Sequence, residues 1–252
     1  MKIMIELLNV CAGYGKREVL KNASVAFRNG TLTSIIGPNG SGKSTLLRAA
    51  LGIIPHKSGT VMLDGRNVCA LSHTELARRA AYLSQERKIP DMSVAELVLH
   101  GRFPHIPYPR RYSESDREIA HLAMERMGIS ELADNHLSTL SGGMRQSAYI
   151  AMALAQDTEH IFLDEPLTYL DIAHQLKIMR SLAALANDGR AVITVMHDLP
   201  LAFGFSDTVC VMDGGRVLAD AHPKELCKSE IIKKIFGVGI SLNSDGTFSY
   251  KY

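Results

Sequence analysis

Short apolar runs rich in β-branched residues alternate along the chain with longer segments whose apolar residues recur at helical spacing. The runs at 32–36, 159–165 and 191–197 predict buried strands, whereas 43–52 and 174–188 predict helices. Strands that alternate with helices are typical of an α/β fold built on a mostly parallel sheet. The apolar amino end, interrupted by a glutamate, predicts an edge strand rather than a signal peptide.

The middle of the chain has a different pattern, with helical spacing and no clear strand. In residues 113–129, Ser113 and Ser115 are candidate caps, and the face predicted to be buried consists of Ile119, Leu122, Ala123 and Met127. We therefore expect one domain over residues 1–252, with a helical subdomain inserted into it. The predicted core comprises about 1–86 and 158–252, and the subdomain about 87–157.

Composition narrows the class of protein. With 252 residues and 46% hydrophobic residues, the chain can bury a sizeable core. The formal net charge is only +2, so we expect no nucleic acid partner. The four cysteines are widely spaced, which predicts neither disulfides nor a zinc site and suits a reducing cytosol. No stretch offers the ~18 uninterrupted apolar residues that a membrane span requires.

The stretch GPNGSGKST lies between the strand at 32–36 and the helix that follows it. Glycines let consecutive backbone N–H groups surround a phosphate, and the positive end of the helix dipole points at the same anion. Lys43 is expected to reach the β and γ phosphates of a nucleotide, and the Ser44 hydroxyl to bind Mg²⁺. The predicted phosphate-binding residues are Gly37, Pro38, Asn39, Gly40, Ser41, Gly42, Lys43, Ser44 and Thr45.

Two acids end the strand FLDEP. Asp164 is expected to lie near the magnesium ion, and Glu165 to polarise the attacking water as a general base. Solvated acids at a strand end are common in themselves, but a phosphate loop upstream makes that explanation improbable. The phosphate loop alone fits kinases, GTPases and transport ATPases, and the acid pair favours the ATPases.

The stretch LSGGMRQ begins another helix. Ser141 is a candidate cap, and Gly142 and Gly143 leave the N–H groups of the first turn bare, which makes a second anion site. One chain thus holds two phosphate-binding elements but one lysine-bearing loop. A head-to-tail dimer satisfies both, with ATP between the phosphate loop of one copy and the bare helix end of the other.

Taken together, GPNGSGKST, LSGGMRQ, FLDEP and VMHD resemble, in order and spacing, the ATPase subunit of ABC transporters over nearly the whole chain. The resemblance implies the P-loop NTPase fold of ABC ATPase type, with an antiparallel β region beside the mostly parallel core sheet. It also implies ATP and Mg²⁺ as cofactors, with Ser44, Gln85 and Asp164 as the metal-binding set.

Four further roles follow from the resemblance alone. Tyr14 occupies the place of an aromatic residue that stacks on adenine, and Gln85 that of a glutamine that touches magnesium and senses the permease. His197 matches a histidine that contacts the γ-phosphate, and Asp171 an aspartate that crosses the dimer interface. The catalytic set is then Lys43, Glu165 and His197. His160 and Met144 depart from the usual residues without touching this chemistry.

The stretches PLTYLDIAHQ and LVLHGRFPH are similar to a narrower group, the ATPases of importers for iron–siderophore complexes, haem and vitamin B12. That group implies a separate membrane permease as partner, an extracytoplasmic binding protein acting indirectly, and a place on the cytoplasmic face of the membrane. It also implies that LVLHGRFPH lies in the segment that forms the groove for the permease's coupling helix. A basic patch is expected near that surface, although a solvated loop explains it equally well. Its members are Arg102, Arg110, Arg111 and Arg117.

Two alternatives remain open from the sequence. One is a soluble ABC ATPase that drives assembly or nucleic-acid remodelling, although such proteins often carry two nucleotide domains or coiled-coil insertions. The other is the ATPase of a zinc or manganese importer, which the PLTYLDIAHQ stretch disfavours.

Overall fold

The computed structural model describes residues 3–85 and 88–251. The predicted boundary between residues 86 and 87 lies outside the described residues. The strands are β1 (Ile3–Tyr14), β2 (Arg17–Arg28), β3 (Thr31–Ile36), β4 (His56–Leu63), β5 (Arg66–Asn67), β6 (Ala80–Leu83), β7 (His160–Asp164), β8 (Ala191–Val195), β9 (Thr208–Asp213), β10 (Arg216–Ala221), β11 (Gly239–Leu242) and β12 (Phe248–Lys251). The helices are α1 (Lys43–Ala50), α2 (His73–Ala77), α3 (Val94–His100), α4 (Glu114–Met127), α5 (Gly142–Ala155), α6 (Ile172–Asn187), α7 (Leu199–Phe205), α8 (Pro223–Leu226) and α9 (Ile231–Phe236).

A six-stranded sheet in the order β10-β9-β3-β8-β7-β6 forms the centre of the fold. All its pairs are parallel except β10 with β9. Every residue of β3, β7 and β8 is buried, as expected for strands covered on both faces. Alternate residues of β3 enter two hydrophobic clusters: Leu32 and Ile36 face the helices α5, α6 and α7, whereas Ile35 faces α1 and a second sheet. The predicted mostly parallel sheet is confirmed.

The second sheet is antiparallel, in the order β2-β1-β4-β5. The predicted edge position of the amino-terminal strand is wrong, because β1 pairs with β2 on one side and with β4 on the other. Its residues Ile5, Leu7 and Val10 are fully buried above α1. The apolar side chains of this strand are therefore core residues of an interior strand of the second sheet.

Three helices, α3, α4 and α5, lie between β6 and β7, where the sequence predicts a helical segment. Ser113 caps α4 through a capping box with Asp116, whereas Ser115 lies inside the helix. The predicted buried face is wrong at Leu122, which is 55% exposed. The face that packs on α5 consists of Ala120, Ala123, Met124 and Met127.

The predicted basic patch also requires a correction. Arg102 is 8% exposed, and its Nε donates to Asp116 Oδ1 at 2.9 Å while its Nη1 donates to the Ala155 carbonyl at 3.0 Å. It therefore ties the loop after α3 to α4 and α5 and does not face solvent. Arg110 is exposed and lies over the Phe103 ring, 3.9 Å from its centroid.

The unusual histidine of β7 bonds across to the turn between β4 and β5. His160 is fully buried, and its Nε2 lies 2.9 Å from Asp64 Oδ1, while Arg79 donates to Asp64 Oδ2 at 2.9 Å. Asp64 and Gly65 both have positive φ (51° and 76°), which is the type I′ hairpin pattern. One carboxylate thus links the antiparallel sheet to the central sheet.

Replacing Asp64 with alanine is expected to lower the free energy of unfolding by about 2–4 kcal/mol, because it leaves a buried imidazole and a guanidinium without their acceptor. Asp64→Asn is the matched control: asparagine tolerates positive φ and keeps one acceptor oxygen, so a loss of about 1 kcal/mol is expected. Denaturant unfolding of the two variants measures the difference. Equal losses would contradict the structural role given to this carboxylate.

Candidate functional site

The site lies along the carboxyl edge of the parallel strands, where α/β proteins bind ligands. The chain leaves β3 at Gly37, β6 shortly before Gln85, β7 at Glu165 and β8 shortly before His197. The structure brings together at this edge residues that are separated by up to 160 positions in the sequence.

The phosphate loop connects β3 to α1, and glycine is sterically required in it. A Cβ added at Gly37 would lie 2.3 Å from the Met212 carbonyl oxygen, and Gly42 has φ +101°. Within this loop Lys43 is 6% exposed, and its Nζ donates to the carbonyls of Gly37 at 2.8 Å and Pro38 at 3.1 Å. The lysine ammonium therefore points into the cradle formed by the loop.

Electrostatics and hydrogen bonding mark this loop as an anion site. Burial lowers the pKa of Lys43, while the nearby carboxylates of Glu165 and Asp164 act in the opposite direction. Ser41 Oγ is buried without a hydrogen-bond partner. A phosphate oxygen would satisfy such a donor, because buried polar groups are almost always paired. These features fit the triphosphate of a nucleotide.

Asp164 and Ser44 meet at the start of α1. Ser44 Oγ donates to Asp164 Oδ1 at 2.8 Å, and Tyr82 OH donates to Asp164 Oδ2 at 3.2 Å. Burial raises the pKa of Asp164, and these two hydrogen bonds partly offset that effect. Hydroxyl and carboxylate oxygens are the ligands that Mg²⁺ prefers, so the pair fits that ion.

Glu165 is held by three polar side chains. Its Oε1 lies 2.6 Å from His197 Nε2, and its Oε2 accepts from Gln85 Nε2 at 2.6 Å and from Thr168 Oγ1 at 3.3 Å. Glu165 also has φ +52°, a conformation that costs about 1–3 kcal/mol in a non-glycine residue. The structure thus brings Glu165, Gln85 and His197 into direct contact, with a strained backbone that fixes the direction of the carboxylate.

The LSGG segment opens α5, and its two glycines differ in their surroundings. Ser141 Oγ accepts from Met144 N at 3.3 Å, which confirms the predicted cap. A Cβ added at Gly143 would meet the His174 ring at 2.5 Å, whereas one added at Gly142 would meet nothing within 4 Å. A side chain at position 143 would therefore displace the His174 ring, whereas position 142 has room for one.

The same segment is separate from the phosphate loop of its own chain. No hydrogen bond in the described part of the chain joins residues 141–143 to residues 37–45. Gly142 instead borders a cleft of about 300 Å³ that also contains Gln85 and Glu165.

Asp171 caps α6 and orients a neighbouring histidine. Its Oδ1 accepts from His174 N at 2.9 Å, and its Oδ2 lies 2.7 Å from His174 Nδ1. The hydrogen bond from the backbone of His174 is the main reason that the pKa of Asp171 is lowered. Beside it, Tyr169 is fully exposed and Ile172 is 73% exposed, so the loop presents apolar side chains to solvent.

Tyr14 ends β1 and is 46% exposed. Its hydroxyl accepts from Arg48 Nη1 at 3.0 Å, and Arg48 Nε donates to Tyr82 OH at 3.3 Å. Arg48 and Tyr82 do not figure in the sequence prediction. Arg48 follows Ser44 by four residues on α1, a helical spacing that puts both on one face, whereas nothing in the local sequence pairs Tyr82 with Asp164.

Thr168 and His174 are likewise absent from the predicted site. Thr168 belongs to the loop that holds Glu165, and His174 connects Asp171 to the LSGG glycines. The histidine has a sequence signal, because it lies three residues after a helix cap and so returns to the cap on the same face.

A glycine-rich loop between strand and helix, with a buried lysine and two carboxylates at the end of β7, the next strand but one in the same sheet, defines a P-loop nucleoside triphosphatase. The model of the ABC transporter family matches residues 20–168, and the chain belongs to this family. It is accordingly an ATP-binding subunit that hydrolyses ATP to drive transport. Within the described residues, no helix is both long and apolar enough to span a membrane.

Several curated proteins are similar over most of their length. The ferric enterobactin transport ATP-binding protein FepC of Escherichia coli (strain K12) is 41% identical, with 92% of this chain and 87% of that protein covered. The iron(3+)-hydroxamate import ATP-binding protein FhuC of Bacillus subtilis (strain 168) is 39% identical, with the same coverage of 92% and 87%. The hemin import ATP-binding protein HmuV of Nocardia farcinica (strain IFM 10152) is 37% identical, with 87% and 76% covered.

Solved structures confirm the fold. The ADP conformation of MJ1267, an ATP-binding cassette of an ABC transporter, has a TM-score of 0.84 at 24% identity, and covers 94% of this chain and 99% of that one. The cbiO1 protein of Clostridium perfringens, part of the transporter complex cbiONQ, has a TM-score of 0.81 at 27% identity, with 93% and 95% covered.

Proposed function

We propose that this chain powers the import of an iron–siderophore complex, with haem or cobalamin as the related cargoes, through a separate permease. The observation that carries the proposal is the 41% identity to a ferric enterobactin transport protein over 92% of the chain. Relatives for hydroxamate, petrobactin and hemin import support the same class of cargo. The chain then lies on the cytoplasmic face of the membrane, and an extracytoplasmic binding protein delivers cargo to the permease.

Two copies of the chain are proposed to form the hydrolytic sites together, head to tail. The support is Gly142, the first residue of α5, where the packing of the copy itself leaves room for a larger side chain. Such a glycine suits the close approach of another molecule. The exposed Tyr169 and Ile172 beside Asp171 supply apolar surface for the same contact.

In each shared site, residues 37–45 surround the phosphates and Lys43 neutralises their charge. Glu165, which is oriented by its hydrogen bond from Gln85, takes a proton from the attacking water. His197 stabilises charge on the phosphoryl group that is transferred. Ser44, Asp164 and Gln85 would hold a magnesium ion, which would supply charge stabilisation to the β and γ phosphates when bound. Residues 141–143 of the second copy contribute N–H donors at their bare helix end, and Asp171 lies at the seam between the copies.

Tyr14 is proposed to stack on adenine, since it is half exposed at the end of β1 and its hydroxyl accepts from Arg48 of α1, the helix that follows the phosphate loop. The helical segment at about 87–157 is proposed to be a subdomain inserted into the core of about 1–86 and 158–252.

A permease segment is proposed to dock in a groove of about 310 Å³, here called the α1–α2 groove, lined by Leu51, Gly52, Ile53, His73, Leu76, Ala77, Ala80, Tyr82 and Gln156. Its apolar lining and the 52% exposure of Ile53 suit an amphipathic helix. The groove adjoins the site, because Tyr82 lines it and donates to Asp164 at 3.2 Å. The LVLHGRFPH stretch borders it through His105, whose Nε2 lies 2.8 Å from the carbonyl oxygen of Gln156, another lining residue.

Deletion of the gene in its organism of origin tests the proposal. Uptake of radiolabelled iron as enterobactin, hydroxamate or petrobactin complexes, of haem and of cobalamin is measured beside uptake of free zinc and manganese. We expect uptake of at least one iron chelate to fall about 10-fold or more and to return with the native gene but not with the Glu165→Gln variant. Loss of zinc or manganese uptake alone would indicate a metal-ion importer, and unchanged uptake of every cargo would favour a soluble ATPase.

A further inference from the structure

One side chain, Tyr82, belongs to both the α1–α2 groove and the hydrolytic site. It lines the groove beside Leu76, Ala77 and Gln156. At its other end, the hydroxyl donates to Asp164 Oδ2 at 3.2 Å. Tyr82 therefore contacts both the proposed docking surface and the carboxylate proposed to bind magnesium.

The register of the parallel strands produces this contact. Tyr82 on β6 is paired with Phe162 on β7, and Asp164 lies two residues further along β7. Residues two apart on a strand point to the same face, so the Tyr82 ring and the Asp164 carboxylate are diagonal neighbours on the face covered by α1.

A cation fixes the direction of the Tyr82 hydroxyl. Arg48 Nε donates a hydrogen bond to the phenol oxygen at 3.3 Å, and the phenol O–H in turn donates a hydrogen bond to the Asp164 carboxylate. Hydrogen bonds in such a chain polarise and strengthen one another. Arg48 Nη1 donates a second hydrogen bond, to the Tyr14 hydroxyl.

We infer that Tyr82 is a positioning residue that couples occupancy of the α1–α2 groove to the orientation of Asp164. A segment seated in the groove packs on the ring and restricts its rotation, which holds Asp164 Oδ2 in place while Ser44 holds Oδ1. Coupling between two binding sites is reciprocal, so nucleotide and metal at Asp164 must also change the groove. The inference rests on the proposed magnesium and permease sites and deepens them.

The chain contains no tryptophan, so all tryptophan fluorescence of a variant comes from the one tryptophan introduced. Ile53→Trp places it at the exposed rim of the groove. With a slowly hydrolysed ATP analogue present, titration with MgCl₂ is expected to shift the tryptophan emission. In Ile53→Trp/Tyr82→Phe, which keeps the ring and removes only the hydroxyl, the shift is expected to disappear. The same double variant should also bind Mg²⁺ more weakly. The Mg²⁺ concentration that gives half of the maximal rise in unfolding temperature is expected to be about 10-fold higher than in Ile53→Trp, as when other residues that orient a metal ligand are replaced.

The matched control is Ile53→Trp/Tyr250→Phe, the same chemical change on β12, which is expected to behave like Ile53→Trp alone. An emission shift of equal size in Ile53→Trp and in Ile53→Trp/Tyr82→Phe, or no shift in Ile53→Trp itself, would overturn the inference while the proposed function stands. Failure of every variant to bind the nucleotide would overturn both. Tyr82→Phe is also expected to unfold at nearly the native temperature without ligand, which separates a positioning effect from a loss of folding.

Discussion

Glu165→Gln is expected to lower ATP turnover by about 10²- to 10⁴-fold, the usual contribution of a general base. The glutamine is isosteric and keeps one acceptor oxygen for Gln85 or His197, but its amide cannot take a proton from water. Binding of ATP is expected to persist, because the phosphate loop is unchanged. The purified variant should therefore accumulate as an ATP-bound dimer, visible as an ATP-dependent shift in size-exclusion chromatography.

A control variant separates loss of the general base from a change in the orientation of the Glu165 side chain. Thr168→Val removes a donor to the same carboxylate, at 3.3 Å, and leaves the acid in place. We expect turnover of this variant to fall less than about 10-fold. If Glu165→Gln hydrolysed ATP at the native rate, or if Thr168→Val lost as much activity as Glu165→Gln, the assignment of Glu165 as the base would be wrong.

Gly142→Ala is expected to separate stability from activity. The added methyl group meets nothing within 4 Å in the isolated copy, and alanine lowers the entropy of the unfolded chain relative to glycine, which stabilises by about 0.4–1 kcal/mol, so the variant should unfold at a slightly higher denaturant concentration. In the dimer the same methyl group would displace a phosphate from the helix end. Turnover is therefore expected to fall about 100-fold, as when one preorganised donor of charge stabilisation is lost.

Gly204→Ala supplies the matched control. Gly204 also lies in a helix, α7, and a Cβ added there also meets nothing within 4 Å. This variant should gain similar stability and keep full turnover. Nucleotide binding by monomeric Gly142→Ala should be native, because residues 37–45 belong to the same copy. Full turnover by Gly142→Ala would contradict the shared site.

Gly143→Ala, unlike Gly142→Ala, cannot separate an effect on activity from an effect on the packing of this chain. Its methyl group would lie 2.5 Å from His174 Cδ2, so loss of activity there cannot be separated from displacement of the histidine that Asp171 holds. The two adjacent glycines thus differ in what their substitution can reveal, although both belong to the same four-residue stretch.

The amino-acid sequence by itself determined the features that depend on neighbours in the chain. The phosphate loop with its glycines, the Ser113 and Ser141 caps and the buried strands β3, β7 and β8 all follow from local pattern. The interrupted sheet, with helices between β6 and β7, also followed from the order of these patterns.

Only the tertiary structure decided which distant residues meet. It placed β1 inside a sheet rather than at an edge, left Leu122 exposed, buried Arg102 against Asp116, and paired His160 with Asp64. It also joined Tyr82 to Asp164. These contacts depend on strand order and register, which are fixed by hydrogen bonding and packing between segments far apart in the sequence, so no local periodicity encodes them.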